Sequence, residues 1–130
     1  MNAKIMTVTN AKATGLNNRR PAIKFRGLWL NEIGFEKDNL VELQKEAGSL
    51  LFKVHSKGIE TYGRLVKSLL KSKSDLIQIQ QSRANQKDVP AFDVKGKWLE
   101  NLGFKIGSVI LVQYGTGIIK VRLIDLEKLE

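Results

Sequence analysis

The sequence predicts a mainly β fold with short helices, laid down twice along the chain. Three observations carry that reading. The phrase Gly-x-Trp-Leu-x-x-x-Gly-Phe occurs at residues 27–35 and returns at 96–104. Each copy is preceded by a Pro-led stretch that alternates apolar and polar residues. Each is followed by two apolar runs around a Gly-containing turn.

The repeat is wider than the phrase. Pro21 to Val54 aligns without a gap on Pro90 to Leu123, at an offset of 69. Pro21/Pro90, Ala22/Ala91, Gly27/Gly96, Trp29/Trp98, Leu30/Leu99, Gly34/Gly103, Phe35/Phe104, Gln44/Gln113 and Gly48/Gly117 are identical. Self-similarity at a fixed period dictates architecture, so the chain reads as a tandem duplication. Its expected parts are a first repeat over 1–55, a basic helical linker over 56–74 and a second repeat over 75–130.

The elements follow in order. Ile5 to Thr9 is short and β-prone, and Leu76 to Gln80 takes its place before the second copy. Pro21 to Arg26 and Pro90 to Lys95 alternate as half-buried strands do, with proline at a first position that needs no ladder donor. Ile23 and Phe25 then face a core, while Lys24 and Arg26 face out. Trp29, Leu30 and Ile33 fall on one face of a short helix. Gly34 sits where a left-handed residue ends a helix, and Phe35 supplies the apolar contact of such a cap. Two tryptophans in a basic protein suggest base stacking, but their helical spacing places Trp29 and Trp98 in the core instead. Leu40 to Leu43 and Leu50 to Val54 flank Gly48 as a hairpin, and Val109 to Val112 and Ile118 to Leu123 flank Gly115 and Gly117 likewise. Val109 to Val112 is apolar at every position, which predicts a strand covered on both sides. Gly58 to Lys73 reads as a connecting helix, with Ile59, Tyr62, Val66, Leu69 and Leu70 opposite Lys67, Lys71 and Lys73.

A unit of roughly 50 residues buries only about 60% of its unfolded surface. With no cysteine and one histidine, it has neither disulfides nor a zinc cluster to staple it. Each half therefore needs the other, and a monomer holding an internal pseudo-dimer is the expected assembly. Absence of cysteine suits a reducing, cytoplasmic setting. No apolar run reaches the roughly 20 residues of a membrane span, and no signal-peptide pattern opens the chain, so no membrane partner is expected.

The net charge of +9 favours an anionic partner, nucleic acid first. Residues 1–20 hold four positive charges and no negative ones, and 90–123 hold five against two, whereas 21–54 balance five against five. Strand alternation points Lys24 and Arg26 outward beside Arg19 and Arg20. Lys95 and Lys97 match them in the second half, with Arg83 and Lys87 just before. These eight residues are the expected nucleic-acid site, with the linker cations Arg64, Lys67 and Lys71 as the other candidate.

Metal-free RNA cleavage needs a base, an acid and cations around phosphate. His55 stands just past a strand, and its counterpart is Ile124. No residue in the sequence is seen to orient it, which argues against a catalytic role. Glu32, Glu36, Asp38, Glu42 and Glu46 scatter as solvated faces do. No catalytic constellation, P-loop, metal-ligand spacing or cofactor motif is visible, so no catalytic residue is assigned.

The order of strand, Pro-led strand, one-turn helix ending in Ile-Gly-Phe or Leu-Gly-Phe, then hairpin resembles the SpoVT/AbrB swapped-hairpin barrel class. Arg19-Arg20-Pro21-Ala22-Ile23-Lys24-Phe25-Arg26-Gly27-Leu28-Trp29-Leu30, closing on Gly34-Phe35, is similar to the SymE toxin family. The second copy departs from it, with Asp88-Val89-Pro90 before the strand and Asp93 in place of Lys24. The resemblance implies a duplicated barrel closed within one chain. It also implies a toxin of an RNA-regulated (type I) toxin-antitoxin system that acts on RNA, endonucleolytic cleavage being one way to act. AbrB-type regulators and MazE-type antitoxins share the barrel and bind DNA, so a DNA-binding regulator or nucleoid-associated protein without catalysis is the alternative. A protein-binding antitoxin barrel is a third reading. Fold alone does not choose among them.

Overall fold

A computed structural model describes residues 2–12, 19–55, 75–84 and 86–124. The helix expected over Gly58–Lys73 lies outside them. Strands β1 (Asn2–Thr7), β2 (Thr9–Lys12) and β3 (Arg19–Arg26) lead into helix α1 (Trp29–Glu32) and the hairpin β4 (Leu40–Glu46) and β5 (Ser49–His55). Strands β6 (Asp75–Gln78), β7 (Gln80–Ala84) and β8 (Lys87–Lys95), helix α2 (Lys97–Asn101) and the hairpin β9 (Val109–Gly115) and β10 (Ile118–Leu123) repeat that order.

Two sheets form. One has six strands in the order β1-β9-β10-β5-β4-β6, the other four in the order β2-β3-β8-β7. The first strand of each half pairs with the hairpin of the other: β1 lies on β9, and β6 on β4. Lys24 opposite Asp93 marks the middle of β3·β8, and Leu51 opposite Lys120 that of β5·β10. Adding 69 to one member of either pair gives the other, so the pairing has an internal two-fold character.

A single closed barrel does not form. The chain leaves the six-stranded sheet at Val8 and Ile79, both fully buried. The Val8 amide donates to the Ser108 carbonyl at 2.9 Å, and the Ile79 amide to the Asn39 carbonyl at 3.0 Å. These corner amides are spent on loops of the opposite half, so neither sheet continues into the other. The expected single strands Ile5–Thr9 and Leu76–Gln80 are therefore each broken in two. Both prolines also sit deeper than a first position, at the third residue of β3 and the fourth of β8. The Pro21 carbonyl accepts from Gly96, and the Pro90 carbonyl from Gly27, at 3.1 and 3.2 Å. A residue's N and O point to the same side, so the missing proline N–H falls just past the Ala22–Arg26 ladder, where no strand bond is lost.

Between the sheets lies one apolar core. Phe25 stacks on Phe92 at 4.8 Å and meets Phe52 of the other sheet edge-on at 5.3 Å. Strand β9 buries Ile110 and Val112 here, but Val109 and Leu111 on its other face are only half-buried. The run that read as doubly covered is thus one-sided.

The repeated phrase has a local cause. Gly34 and Gly103 take φ of 88° and 100°, and the Phe35 and Phe104 amides reach back to the Leu30 and Leu99 carbonyls, each at 2.8 Å. This is the six-to-one bond of a Schellman cap, and it drives both phenylalanines fully into the core. Gly27 and Gly96 precede the indoles at φ of 136° and 134°. A Cβ there would stand 2.8 Å from the tryptophan Cδ1. Each hairpin tip docks on the opposite helix end: Gly48 donates to Leu102, and Gly117 to Ile33, both at 2.7 Å.

Candidate nucleic-acid interface

The four-stranded sheet has a buried side and an exposed one. Ile23, Phe25, Phe92 and Val94 point into the core. Alternation and register then put Arg20, Lys24 and Arg26 of β3 on the outer side with Lys87, Asp93 and Lys95 of β8. All six are exposed. Successive outward residues on a strand stand about 7 Å apart, so Lys24, Arg26, Asp93 and Lys95 form a patch two strands wide. Arg20 stands about 13 Å from Lys24 along β3, and Lys87 about 20 Å from Asp93 along β8.

Not every expected cation joins that patch. Arg19 and Arg83 fall on the opposite alternation, although both are exposed near strand ends. Arg83 Nε lies 3.9 Å from Asp88 Oδ1, a pair open to solvent and of little energetic weight. Lys97 opens α2 at the end of the sheet. The second half contributes less charge because Val89 and Asp93 stand where the first half has Arg20 and Lys24.

Both tryptophans were expected in the core, and both are only half-buried against it. Their indole N–H groups explain the position. Trp29 Nε1 donates to the Arg26 carbonyl at 3.1 Å, and Trp98 Nε1 to the Lys95 carbonyl at 3.0 Å. Each indole thereby ties down the end of a strand that carries a patch cation. Lys4 Nζ stands 3.9 Å from the Trp29 ring centre, with Tyr114 4.8 Å away, and Lys45 Nζ stands 4.1 Å from the Trp98 ring. Burial lowers the Lys4 pKa. A base stacking on the lysine-covered ring faces would have to displace the lysine.

A groove of about 720 Å³ opens on the patch, lined by Lys24, Arg26, Gln80, Ser82, Ala91 and Asp93 among others. Sequence reasoning missed it, because Gln80 and Ser82 reach Ala91 only through the β7·β8 register.

His55, which looked unpartnered in the sequence, has a carboxylate. Its Nε2 is 3.2 Å from Glu42 Oε1, and Gln44 Nε2 donates to Glu42 Oε2 at 3.0 Å. The Gln44 hydrogen bond is the chief reason the Glu42 pKa is lowered; burial opposes it, while His55 and Lys53 add to it. This pair sits on the six-stranded sheet, not the one carrying Arg20 and Arg26. Glu32, Glu36, Asp38 and Glu46 are exposed. Among the described residues, no three metal-ligating side chains gather, and no helix is long and apolar enough to cross a membrane.

No protein-family model, curated protein or solved structure matches the chain.

Proposed function

We propose that the chain is a nucleic-acid-binding protein that holds RNA along the outer face of its four-stranded sheet, as a SymE-like toxin of an RNA-regulated system would. The observation that carries this reading is the convergence of Arg20, Lys24, Arg26, Lys87 and Lys95 on one exposed face. Phosphate contacts from such a face position a strand without reading its sequence. The proposal includes a tandem duplication, in which the first strand of each half pairs with the hairpin of the other, so that one chain completes the assembly as a monomer in the cytoplasm. Backbone binding is the step the patch supports. Cleavage rests on the resemblance, with His55 and Glu42 on the other sheet as the acid–base pair to test.

Titration of labelled single-stranded RNA and of duplex DNA of equal length, at several salt concentrations, tests the substrate class. RNA should bind tighter, with a log K versus log salt slope of roughly −3 to −4 for five phosphate contacts on a single strand. Preference for the duplex would move the reading to an AbrB-like DNA-binding protein.

A further inference from the structure

The groove breaks the internal symmetry of the patch, and its chemistry differs from that of its surroundings. In its equivalent in the other half Lys24 and Asp93 exchange places and Lys95 replaces Arg26, while Thr9, Ala11 and Ala22 stand in place of Gln80, Ser82 and Ala91. That set has no amide, and Ala22 is fully buried where the groove has the half-exposed Ala91. Asp93 stands directly across the strands from Lys24, in the midst of the cations. Its carboxylate is exposed and makes no ion pair or side-chain hydrogen bond with the described residues. On a face that holds phosphates, a negative charge weakens binding by repulsion. It has a use if the ligand brings hydrogen-bond donors to that point.

We propose that this groove is a pocket for one unpaired guanine base of single-stranded RNA, with Asp93 reading the base edge between Lys24 and Arg26. The inference rests on the reading that RNA lies along this sheet. An ionised carboxylate accepts hydrogen bonds and donates none. Guanine presents two adjacent donors, N1–H and N2–H, which a carboxylate can take together. Uracil offers one donor between two carbonyls. Adenine and cytosine set an amino group beside a ring acceptor, which the carboxylate repels. The Gln80 amide and Ser82 hydroxyl can donate to the guanine O6, while Lys24 and Arg26 hold the flanking phosphates. The small Ala91 side chain leaves space for the ring, and the volume suits a small-molecule site. Splayed, unstacked bases are the usual targets of sequence-specific RNA recognition. In a duplex, the edge that Asp93 reads is occupied by its partner base.

Two fluorescent oligoribonucleotides of equal length test this, one all uridine and one carrying a single central guanosine. The guanosine oligomer should bind the full chain about tenfold tighter, as one good bidentate pair allows. Asp93→Asn should erase that preference and leave uridine binding equal or slightly tighter, since a negative charge is gone. Asp93→Ser should do the same, and unchanged circular dichroism confirms that each variant is folded. Equal affinity for both oligomers in the wild type, or a preference that survives in both variants, would overturn the pocket alone. Failure to bind either oligomer would overturn the pocket together with the reading beneath it.

Discussion

Replacing Phe25 by Ala should cost about 3–5 kcal/mol of folding stability, as truncation of a large buried aromatic does. Phe25 is almost fully buried at the junction of the two sheets, touching Phe92 beside it and Phe52 across the core. Ring–ring attraction adds to the effect of the removed apolar area, and the cavity sits where both halves meet. For a domain with an ordinary stability of about 5–15 kcal/mol, this removes a large share. Urea unfolding followed by tryptophan fluorescence should show a much lower midpoint with an unchanged slope. Lys53→Ala, on an exposed face, is the control and should stay within about 0.5 kcal/mol of the wild type. A Phe25→Ala loss below about 1 kcal/mol would mean that the sheets are not packed through this residue.

A fragment ending at His55 should not fold as a monomer. Alone, it loses β9 as the partner of β1, β8 as the partner of β3 and β10 as the partner of β5. The Val8 amide loses its acceptor Ser108, and the Gly48 amide loses Leu102. Buried backbone donors left unpaired are costly, and open strand edges invite association. Light scattering and far-ultraviolet circular dichroism on the isolated fragment should therefore show an unfolded chain or a self-paired assembly. A monomer with a cooperative unfolding transition would contradict the exchange of strands between halves.

Much of this architecture was legible in the sequence, because its signals are local. Gly34 and Gly103 end helices where the spacing of Trp, Leu and Phe says they must. The turns at Gly48 and Gly117 fall between strands that alternate correctly. The breaks at Val8 and Ile79 were not legible, because they depend on which distant carbonyl receives an amide. The half-buried tryptophans were misread for a related reason: helical spacing gives a direction, while the indole N–H chose a strand-end carbonyl at the rim. The His55–Glu42 pair could have been found by counting. With Glu46 opposite Ser49, the register sets Leu40 against His55 and leaves Glu42 one diagonal step away. Lys24 and Arg26 of β3 were readable by alternation, whereas the groove needed the β7·β8 register, and Arg19 and Arg83 fell on the other alternation.

The central claim is that nucleic acid lies on the outer face of the four-stranded sheet, and the salt dependence of binding tests it most directly. The variant Arg20→Glu/Arg26→Glu/Lys95→Glu changes only exposed positions on that face. It should stay folded, bind every RNA sequence more weakly, and shift the slope of log K against log salt from about −3.5 to about −1.5, roughly 0.7 for each phosphate that is no longer neutralised. A folded variant with the affinity and salt slope of the wild type would place the nucleic acid somewhere else on the molecule.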